Sequence, residues 1–347
     1  MRKLIYTFFC LIFLFGGGIA ESMNRSSIES IDSAIGVKTL HYVDIKRGDR
    51  PVVVELWYPV ADSGVSDRIE DLYIHPSEAR DATFVASGNR YPLILMSHGH
   101  RGDRRDRSWL AEKLVKKNYI VASVEHYGNS SKTFDPALTL RYWDRPQDVS
   151  FALDQLLNEP DLKEVVDADR IGFVGYSLGG MTGLSLAGGG VQDLKEIFAK
   201  YRKEFNQFPR ESFKVLDTSI EKGSVHDPRI KAYLLLAPAT FLFSQEGLKK
   251  ITAPIGLVSA INDEVLPHEE HSRRVLQNSP TVRFKLLRKE IAHSAFLNPL
   301  SALGKQVKAK SKRQALSSED QKRLYQEVGD FSISFFQDQL RDGQTIN

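Results

Sequence analysis

The sequence predicts an α/β fold in which a mostly parallel central sheet carries helices on both faces. Short apolar runs typical of buried strands alternate with amphipathic runs typical of helices through most of the chain. Such alternation indicates parallel strands joined by crossover helices. The 347 residues, 41% hydrophobic and 26% charged, suffice for a large core and have the composition of a globular protein.

The predicted elements follow one another along the chain. The first two strands form a hairpin whose turn is Gly48-Asp49. Pro146 fits the first turn of one helix, and Ser317 with Asp320 resembles a capping box at the start of the last. The strands are predicted at 39–47, 51–59, 91–97, 119–125, 170–177, 230–239, 253–260 and 281–288. The helices are predicted at 107–118, 145–158, 267–278 and 319–340, with a further helix directly after residue 177.

The first residues of the chain have a composition of their own. Arg2 and Lys3 precede an apolar run from Leu4 to Phe15, and small residues follow as far as Ala20. This order is typical of a secretory signal peptide, and the run is short for a membrane span, although an uncleaved anchor is the alternative. We therefore expect a signal peptide at 1–20, a flexible leader at 21–37, a single domain at 38–347 and export to the periplasm or beyond.

Charge and cysteine content exclude several classes of partner. Removal of Arg2 and Lys3 with the signal peptide lowers the formal net charge from +3 to +1, which gives no electrostatic basis for nucleic-acid binding. Cys10, the one cysteine, lies in the predicted signal peptide, so the mature chain has no thiol nucleophile, disulfide or thiolate metal site. We expect neither a metal nor an organic cofactor.

Two charged stretches interrupt the alternation. Residues 190–228 follow the helix after Ser177, and insertions of this length in a compact fold are either a lid or a surface segment. The basic run KQVKAKSKR at 305–313 could make transient contact with an anionic membrane surface, with a solvated surface as the alternative.

The stretch IGFVGYSLGGMTG, residues 171–183, places Ser177 between an apolar strand and a run of small residues. A nucleophile elbow requires this strand–turn–helix context, because a strained turn lifts the serine hydroxyl above the sheet edge. Gly175, Gly179 and Gly180 fit, since side chains there would collide with the turn or with a neighbouring strand. Ser177 is therefore a predicted nucleophile; the alternative is a glycine-rich turn in which the serine has no chemical role.

A serine nucleophile needs a base, and the base needs an acid that holds it in place. His293 follows the last predicted strand, and in open α/β sheets the site lies beyond the carboxyl ends of the strands. Asp263 lies on the turn after the strand 253–260 and completes the chain order serine, acid, histidine. Glu264 is the alternative acid.

Acyl transfer also needs N–H donors for the oxyanion. One is predicted to be the backbone N–H of Leu178, directly after the nucleophile, and the other that of His100 in the loop HGHRG. The side chains of His98 and His100 are expected to order this loop. His126, after another strand, is expected to line the pocket.

Three further histidines are not assigned to the site. His226 belongs to the charged insertion and is expected on the surface. His268 and His271 have i, i+3 spacing on a predicted polar helix, where a solvated face is the simpler interpretation and a metal pair is the alternative.

Seven stretches together resemble a known family: VVVELWYP, LILMSHGHRGD, YIVASVEHYGNSS, RPQDVSFALDQLL, GFVGYSLGG, DPRIKA and AHSAFL. From about residue 38 to 300 the chain resembles the dienelactone-hydrolase-like proteins and the related platelet-activating-factor acetylhydrolases, which are α/β-hydrolases. The resemblance implies Ser177 as nucleophile, His293 as base, and His100 and Leu178 as oxyanion donors. The acetylhydrolases place their acid after the strand that here ends in LLLAPA, where this chain has an alanine. In that respect the chain resembles the dienelactone-hydrolase branch, with Asp263 as the acid.

The sequence thus predicts a serine esterase that cleaves carboxylic esters, with a small-molecule ester or lipid as substrate. Three alternatives stay open: an enzyme acting on phospholipid-type esters, a peptidase or thioesterase with the same acyl-enzyme chemistry, and a non-enzymatic protein that uses the pocket for binding. The set of Ser177, Asp263 and His293 argues against the last, because binding alone does not need all three.

Overall fold

The computed structural model describes residues 35–60, 67–84, 90–192, 197, 209–217, 225–287, 291–309 and 316–341. The predicted signal peptide and most of the predicted leader lie outside these ranges, as do parts of the 190–228 insertion. Every helix among the described residues is too short or too polar to span a bilayer.

Ten strands among the described residues form one sheet. They are β1 (Ile35–Asp44), β2 (Arg50–Pro59), β3 (Asp67–Glu70), β4 (Ile74–Arg80), β5 (Tyr91–Ser97), β6 (Ile120–His126), β7 (Val166–Tyr176), β8 (Ile230–Leu236), β9 (Ile255–Ala260) and β10 (Val282–Leu287). Their order across the sheet is β10-β9-β8-β7-β5-β6-β2-β1-β4-β3. The strands from β10 to β6 in that order are parallel, and β2 is antiparallel to β6 and β1, so the predicted mostly parallel sheet is confirmed.

The antiparallel edge of the sheet differs in detail from the expectation. Gly48 and Asp49 make the predicted turn between β1 and β2, both with positive φ (70° and 53°). β1 begins at Ile35, because Ile35 and Val37 are buried in the core, so the predicted leader 21–37 extends too far into the domain. β3 and β4 are not predicted from the sequence, since polar strands at a sheet edge need no apolar run.

Eight α-helices are described: α1 (Ser108–Val115), α2 (Pro136–Thr139), α3 (Asp144–Asn158), α4 (Leu178–Leu186), α5 (Gln245–Lys249), α6 (Ser272–Asn278), α7 (Ala302–Ala309) and α8 (Ser318–Gln339). Ser317 is confirmed as the N-cap of α8, because its hydroxyl accepts the N–H of Asp320 at 3.0 Å; the same hydroxyl also donates to the Asp320 carboxylate at 2.8 Å. α6 is shorter than predicted, because His271, directly before it, has a non-helical backbone.

The helices lie on both faces of the sheet, and each face has its own apolar core. Side chains alternate along β5: Leu93 and Leu95 pack in the core that includes α3 and α4. Ile94 and Met96 pack in the other core, which includes α1 and α8. The predicted fold class is therefore confirmed, and packing on both sides fixes the strand ends that carry the site.

Within the predicted insertion, residues Arg210–Asp217 form a 3-10 helix that contacts α2. α2 follows β6 at the carboxyl end of the sheet. Part of the insertion therefore packs near the end of the sheet that carries the predicted site, and its function as a lid stays a prediction.

Candidate active site

The predicted site residues gather at the carboxyl ends of the parallel strands. Ser177 directly follows β7, and the loop containing His100 follows β5. Asp263 lies in the turn after β9, and His293 begins a 3-10 helix after β10. This is the edge at which open parallel sheets carry their sites.

Ser177 occupies a strained turn between β7 and α4. Its φ of 54° and ψ of −114° are unfavourable for a residue with a side chain. Its N–H donates to the carbonyl of Leu236 at 3.0 Å, and its carbonyl accepts the N–H of Ala239 at 2.9 Å. The end of β8 therefore holds the turn in this conformation.

Close backbone contacts explain the glycines around the turn. A Cβ at Gly179 would lie 2.0 Å from the carbonyl oxygen of Ser97, and one at Gly175 would lie 2.2 Å from that of Gly179. At Gly180 a Cβ would lie 2.5 Å from the Cβ of Pro238. The prediction that side chains at these three positions would collide is confirmed.

Three side chains form one continuous chain of hydrogen bonds. Ser177 Oγ lies 2.9 Å from His293 Nε2, and His293 Nδ1 lies 2.7 Å from Asp263 Oδ2. A carboxylate only accepts, so Nδ1 carries the proton and Nε2 of the neutral ring accepts from the serine hydroxyl. The structure therefore brings the predicted nucleophile, base and acid into contact, with a basic nitrogen against the hydroxyl.

The two carboxylates after β9 have different contacts. Asp263 Oδ1 accepts the N–H groups of Val265 (2.9 Å) and Leu266 (2.8 Å), which turns Oδ2 towards the His293 ring. Glu264 Oε2 instead accepts the backbone N–H of His293 at 2.9 Å. The alternative acid thus holds the backbone of the histidine, while Asp263 contacts its ring.

Tyr176 holds the histidine from the other side. Its ring stacks on the His293 ring with centroids 5.0 Å apart, and its hydroxyl donates to the His293 carbonyl at 2.9 Å. Burial, together with the charge of Asp263, raises the pKa of Tyr176 well above its usual value, so the phenol remains a donor. Sequence reasoning missed Tyr176, although it directly precedes Ser177, and it considered Glu264 only as the alternative acid and not as a support for the backbone of His293.

The predicted oxyanion donors lie on either side of Ser177. Leu178 is the first residue of α4, and N–H groups in the first turn of a helix have no partner within that helix. The backbone before His100 passes beside the nucleophile, because a Cβ at Gly99 would lie 3.3 Å from the Ser177 Cβ. Both segments are therefore close to the serine, as an oxyanion hole requires.

The histidines near the oxyanion loop have structural contacts. His98 Nδ1 donates to the Gly99 carbonyl at 2.7 Å and Nε2 accepts the His126 N–H at 3.1 Å, so the prediction that His98 orders the loop is confirmed. His126 is fully buried, with Nε2 2.8 Å from Ser97 Oγ and Nδ1 3.0 Å from Asp148 Oδ2. The expectation that His126 lines the pocket is wrong, because its polar partners lie in the interior.

The remaining histidines divide into two groups. His226 is exposed, as predicted. His268 is buried with Nδ1 3.0 Å from Ser259 Oγ, and His271 Nδ1 accepts the Thr240 N–H at 3.2 Å. The prediction of a solvated face is wrong for both, because the helix begins only after them. Within the described part of the chain, no three His, Cys, Asp or Glu side chains converge as metal ligands.

Sequence comparisons identify esterases among similar proteins. Residues 74–136 match the family model described as platelet-activating factor acetylhydrolase, isoform II. Cutinase 2 of Thermobifida cellulosilytica is 25% identical over 125 residues, which cover 32% of this chain and 44% of the cutinase. Cutinase est2 of Thermobifida alba is 26% identical over 125 residues, which cover 32% of this chain and 39% of the cutinase. The match thus spans less than half the length of these curated relatives.

A structural comparison covers almost the whole chain. A solved ferulic acid esterase from Streptomyces cinnamoneus aligns with a TM-score of 0.60 and 21% identity over 91% of this chain and 92% of that one. Together with the parallel sheet and its flanking helices, this likeness shows that the protein has the α/β-hydrolase fold. The resemblance to α/β-hydrolase esterases is confirmed.

Proposed function

We propose that this α/β-hydrolase-fold protein is a serine esterase that hydrolyses carboxylic esters through an acyl-enzyme on Ser177. The observation that carries the proposal is the continuous hydrogen-bonded chain from Ser177 Oγ through His293 to Asp263, at a strained strand–helix turn. Similarity to proteins named as cutinases and to a ferulic acid esterase supports an ester as the substrate class.

The reaction has two halves that use the same groups. Ser177 Oγ attacks the ester carbonyl carbon while its proton moves to His293 Nε2, and the backbone N–H groups of Leu178 and His100 stabilise the oxyanion. The bond to the alcohol oxygen then breaks, and the imidazolium returns the proton to that oxygen. Water repeats these steps on the acyl-enzyme, which releases the acid and restores the serine hydroxyl. Asp263 keeps the histidine in the required tautomer and stabilises the imidazolium.

Phospholipid-type esters are a second candidate substrate class. The match of residues 74–136 to the acetylhydrolase family model favours them. The position at which the acetylhydrolases place their acid is Ala237 here, while Asp263 contacts the histidine, which favours the other branch. The predicted lid at 190–228 would cover the site in such an enzyme.

A substrate series on wild type and Ser177→Ala tests both candidates. It comprises p-nitrophenyl esters from acetate to palmitate, a ferulic acid ester, cutin, a phospholipid dispersion, a thioester and a peptide. We expect Ser177-dependent hydrolysis of short soluble esters. Activity that rises above a micellar threshold would favour the phospholipid candidate, and preference for thioesters or peptides would favour the remaining alternative. Absence of Ser177-dependent hydrolysis throughout the series contradicts the proposed function.

We also propose that the protein is exported with cleavage near Ala20. The basis is the order of cationic, apolar and small residues at 1–20. Intact-mass measurement of the protein from its native source should give a chain that begins near Glu21. A mature species that retains residues 1–20 contradicts this proposal.

A further inference from the structure

A cluster of buried polar side chains lies beside the loop that follows β5, and the proposed reaction steps do not use it. Its members are each at most 3% exposed. They are Ser97, His126, Asn129, Arg145 and Asp148. Burying polar groups costs free energy unless they are well paired, so such a cluster needs a structural or functional reason.

Arg145 on α3 connects this cluster to the oxyanion loop. Its Nη2 donates to the carbonyl of His98 and also lies 3.2 Å from Ser97 Oγ. Its Nη1 lies 3.3 Å from Asn129 Oδ1. The guanidinium thus holds the backbone two residues before His100, whose N–H is the proposed oxyanion donor.

Asn129 holds the other side of the same loop. Its Oδ1, besides contacting Arg145, accepts the backbone N–H of Arg101 at 3.3 Å. The chain is therefore fastened at His98 and at Arg101, on both sides of His100. One guanidinium and one amide define where the N–H between these two points can lie.

Arg145 also reaches the second oxyanion segment. Its Nε donates to Thr182 Oγ1 at 3.1 Å, and that hydroxyl donates to the carbonyl of Leu178 at 3.2 Å. The planar guanidinium therefore makes contacts with both segments that carry the proposed donors. A rigid fork of this kind fixes relative position in a way that a flexible ammonium does not.

The charge of Arg145 persists despite burial. Desolvation lowers the pKa of Arg145 to about 9, which leaves it protonated at neutral pH, and the charge of Asp148 opposes the shift. Asp148 itself accepts from Arg50 at 2.7 Å and 2.9 Å. Removal of Arg145 therefore leaves Asp148 paired, so the change should mainly affect the loop.

We propose that Arg145 is a positioning residue that sets the distance between the oxyanion donors of His100 and Leu178. The proposal rests on the proposed ester hydrolysis. Donors aimed at a developing charge act only when they are correctly placed, and a displacement of about 1 Å can lower a rate by about 10²-fold. Arg145 touches neither the substrate nor the hydrogen-bonded chain of Ser177, so its effect should appear in oxyanion stabilisation alone.

The test compares an aryl ester with the matched thionoester, in which sulfur replaces the carbonyl oxygen. Sulfur accepts hydrogen bonds weakly, so the oxygen-to-sulfur rate ratio reports how well the oxyanion is bound. Arg145→Lys keeps the positive charge but loses the planar guanidinium with its several N–H donors. We expect kcat on the oxygen ester to fall by about 10- to 100-fold, KM to change by less than about 3-fold, and the rate ratio to fall by about 10-fold.

The matched control is Leu153→Ala, on the same helix but in the apolar core. It should lower the melting temperature without changing the rate ratio. The proposal is overturned if Arg145→Lys has the same kcat as wild type, or if its rate falls by the same factor on the ester and on the thionoester. If Arg145→Lys does not fold, Asn129→Ala should lower the ratio by a smaller factor, and an unchanged ratio there overturns it. Absence of Ser177-dependent activity in wild type instead contradicts the proposed function.

Discussion

Two chains of serine, histidine and aspartate lie at the same edge of the sheet. In both, the serine Oγ contacts Nε2 of the histidine, at 2.9 Å and 2.8 Å, and the carboxylate contacts Nδ1, at 2.7 Å and 3.0 Å. We call Ser177, His293 and Asp263 the outer chain, and Ser97, His126 and Asp148 the inner chain. Because these contacts are alike in both chains, the difference between the two chains must lie in their backbone and electrostatic surroundings.

The two serines have different backbone positions. Ser177 lies in a turn with positive φ, between a strand and the first turn of a helix. Ser97 is the last residue of β5 and pairs with Val124 and Gly175 on both sides. A serine within a strand lacks the helix N–H groups that follow an elbow, so an oxyanion there would have no matched donors of that kind.

The histidine of the inner chain has little ability to take up a proton at neutral pH. Burial and the positive charge of Arg145 lower the pKa of His126 to about 3, although Asp148 opposes the shift. A general base must accept a proton near the working pH, so His126 is unsuited to this function at neutral pH. The turn that carries Ser177 and the unfavourable surroundings of His126 therefore distinguish the proposed catalytic chain from the inner chain.

The largest expected difference concerns the two serines. Ser177→Ala should lower kcat on a short ester by roughly 10⁴- to 10⁶-fold, because only oxyanion and binding contributions remain. Ser97→Ala should lower it by less than about 10-fold, since it removes only the contacts of this hydroxyl with His126 and Arg145 beneath the oxyanion loop. Turnover and circular dichroism on both variants test this, and comparable losses would break the comparison.

The two aspartates should separate activity from stability. Asp263→Asn should lower kcat by up to about 10⁴-fold through the wrong histidine tautomer, with little change in melting temperature. Asp148 pairs with Arg47, Arg50 and His126, so Asp148→Asn should cost about 3–5 kcal/mol of unfolding free energy. Thermal unfolding and turnover per folded molecule distinguish the two effects. A stability loss confined to Asp263→Asn would contradict this assignment.

Glu264 tests the backbone support of the outer chain. Glu264→Ala removes the acceptor of the His293 N–H and should lower kcat by about 10-fold. Glu264→Gln keeps an acceptor oxygen and should stay within about 3-fold of wild type. If Glu264→Ala leaves kcat almost unchanged, or if Glu264→Gln lowers kcat by the same factor as Glu264→Ala, the hydrogen bond does not position the histidine.

The smallest effect is a difference in acid sensitivity. Folded His126 stays neutral down to about pH 3, whereas the unfolded chain binds this proton near pH 6.5, so the stability of the folded state falls as pH falls between these values. His126→Gln cannot titrate. At pH 7.5 the free energy of unfolding of His126→Gln should be lower than that of wild type. At pH 4.5 this difference should be smaller by about 2–3 kcal/mol. Denaturant unfolding at the two pH values measures this, and a constant deficit would contradict the shift.

Much of the outer chain could be predicted from the sequence, because its residues follow strands whose apolar runs are easily recognised. Ser177, Asp263 and His293 each follow such a strand within a few residues, and parallel strands bring their carboxyl ends together. The inner chain could not be predicted in this way. Asp148 lies on a helix and Ser97 within a strand, and their meeting depends on how α3 packs against the sheet. The inward-facing His268 was missed for a similar reason, since its helix starts later than the polar pattern suggests.

Covalent labelling tests most directly whether Ser177 is the nucleophile. A fluorophosphonate reacts with a serine that an adjacent base activates, and peptide mass spectrometry identifies the modified residue. We predict one phosphonyl group per chain on the peptide that contains Ser177, loss of esterase activity in proportion to labelling, and no label in Ser177→Ala. Labelling of Ser97 or of any other serine, or complete inactivation with Ser177 unmodified, would contradict the account.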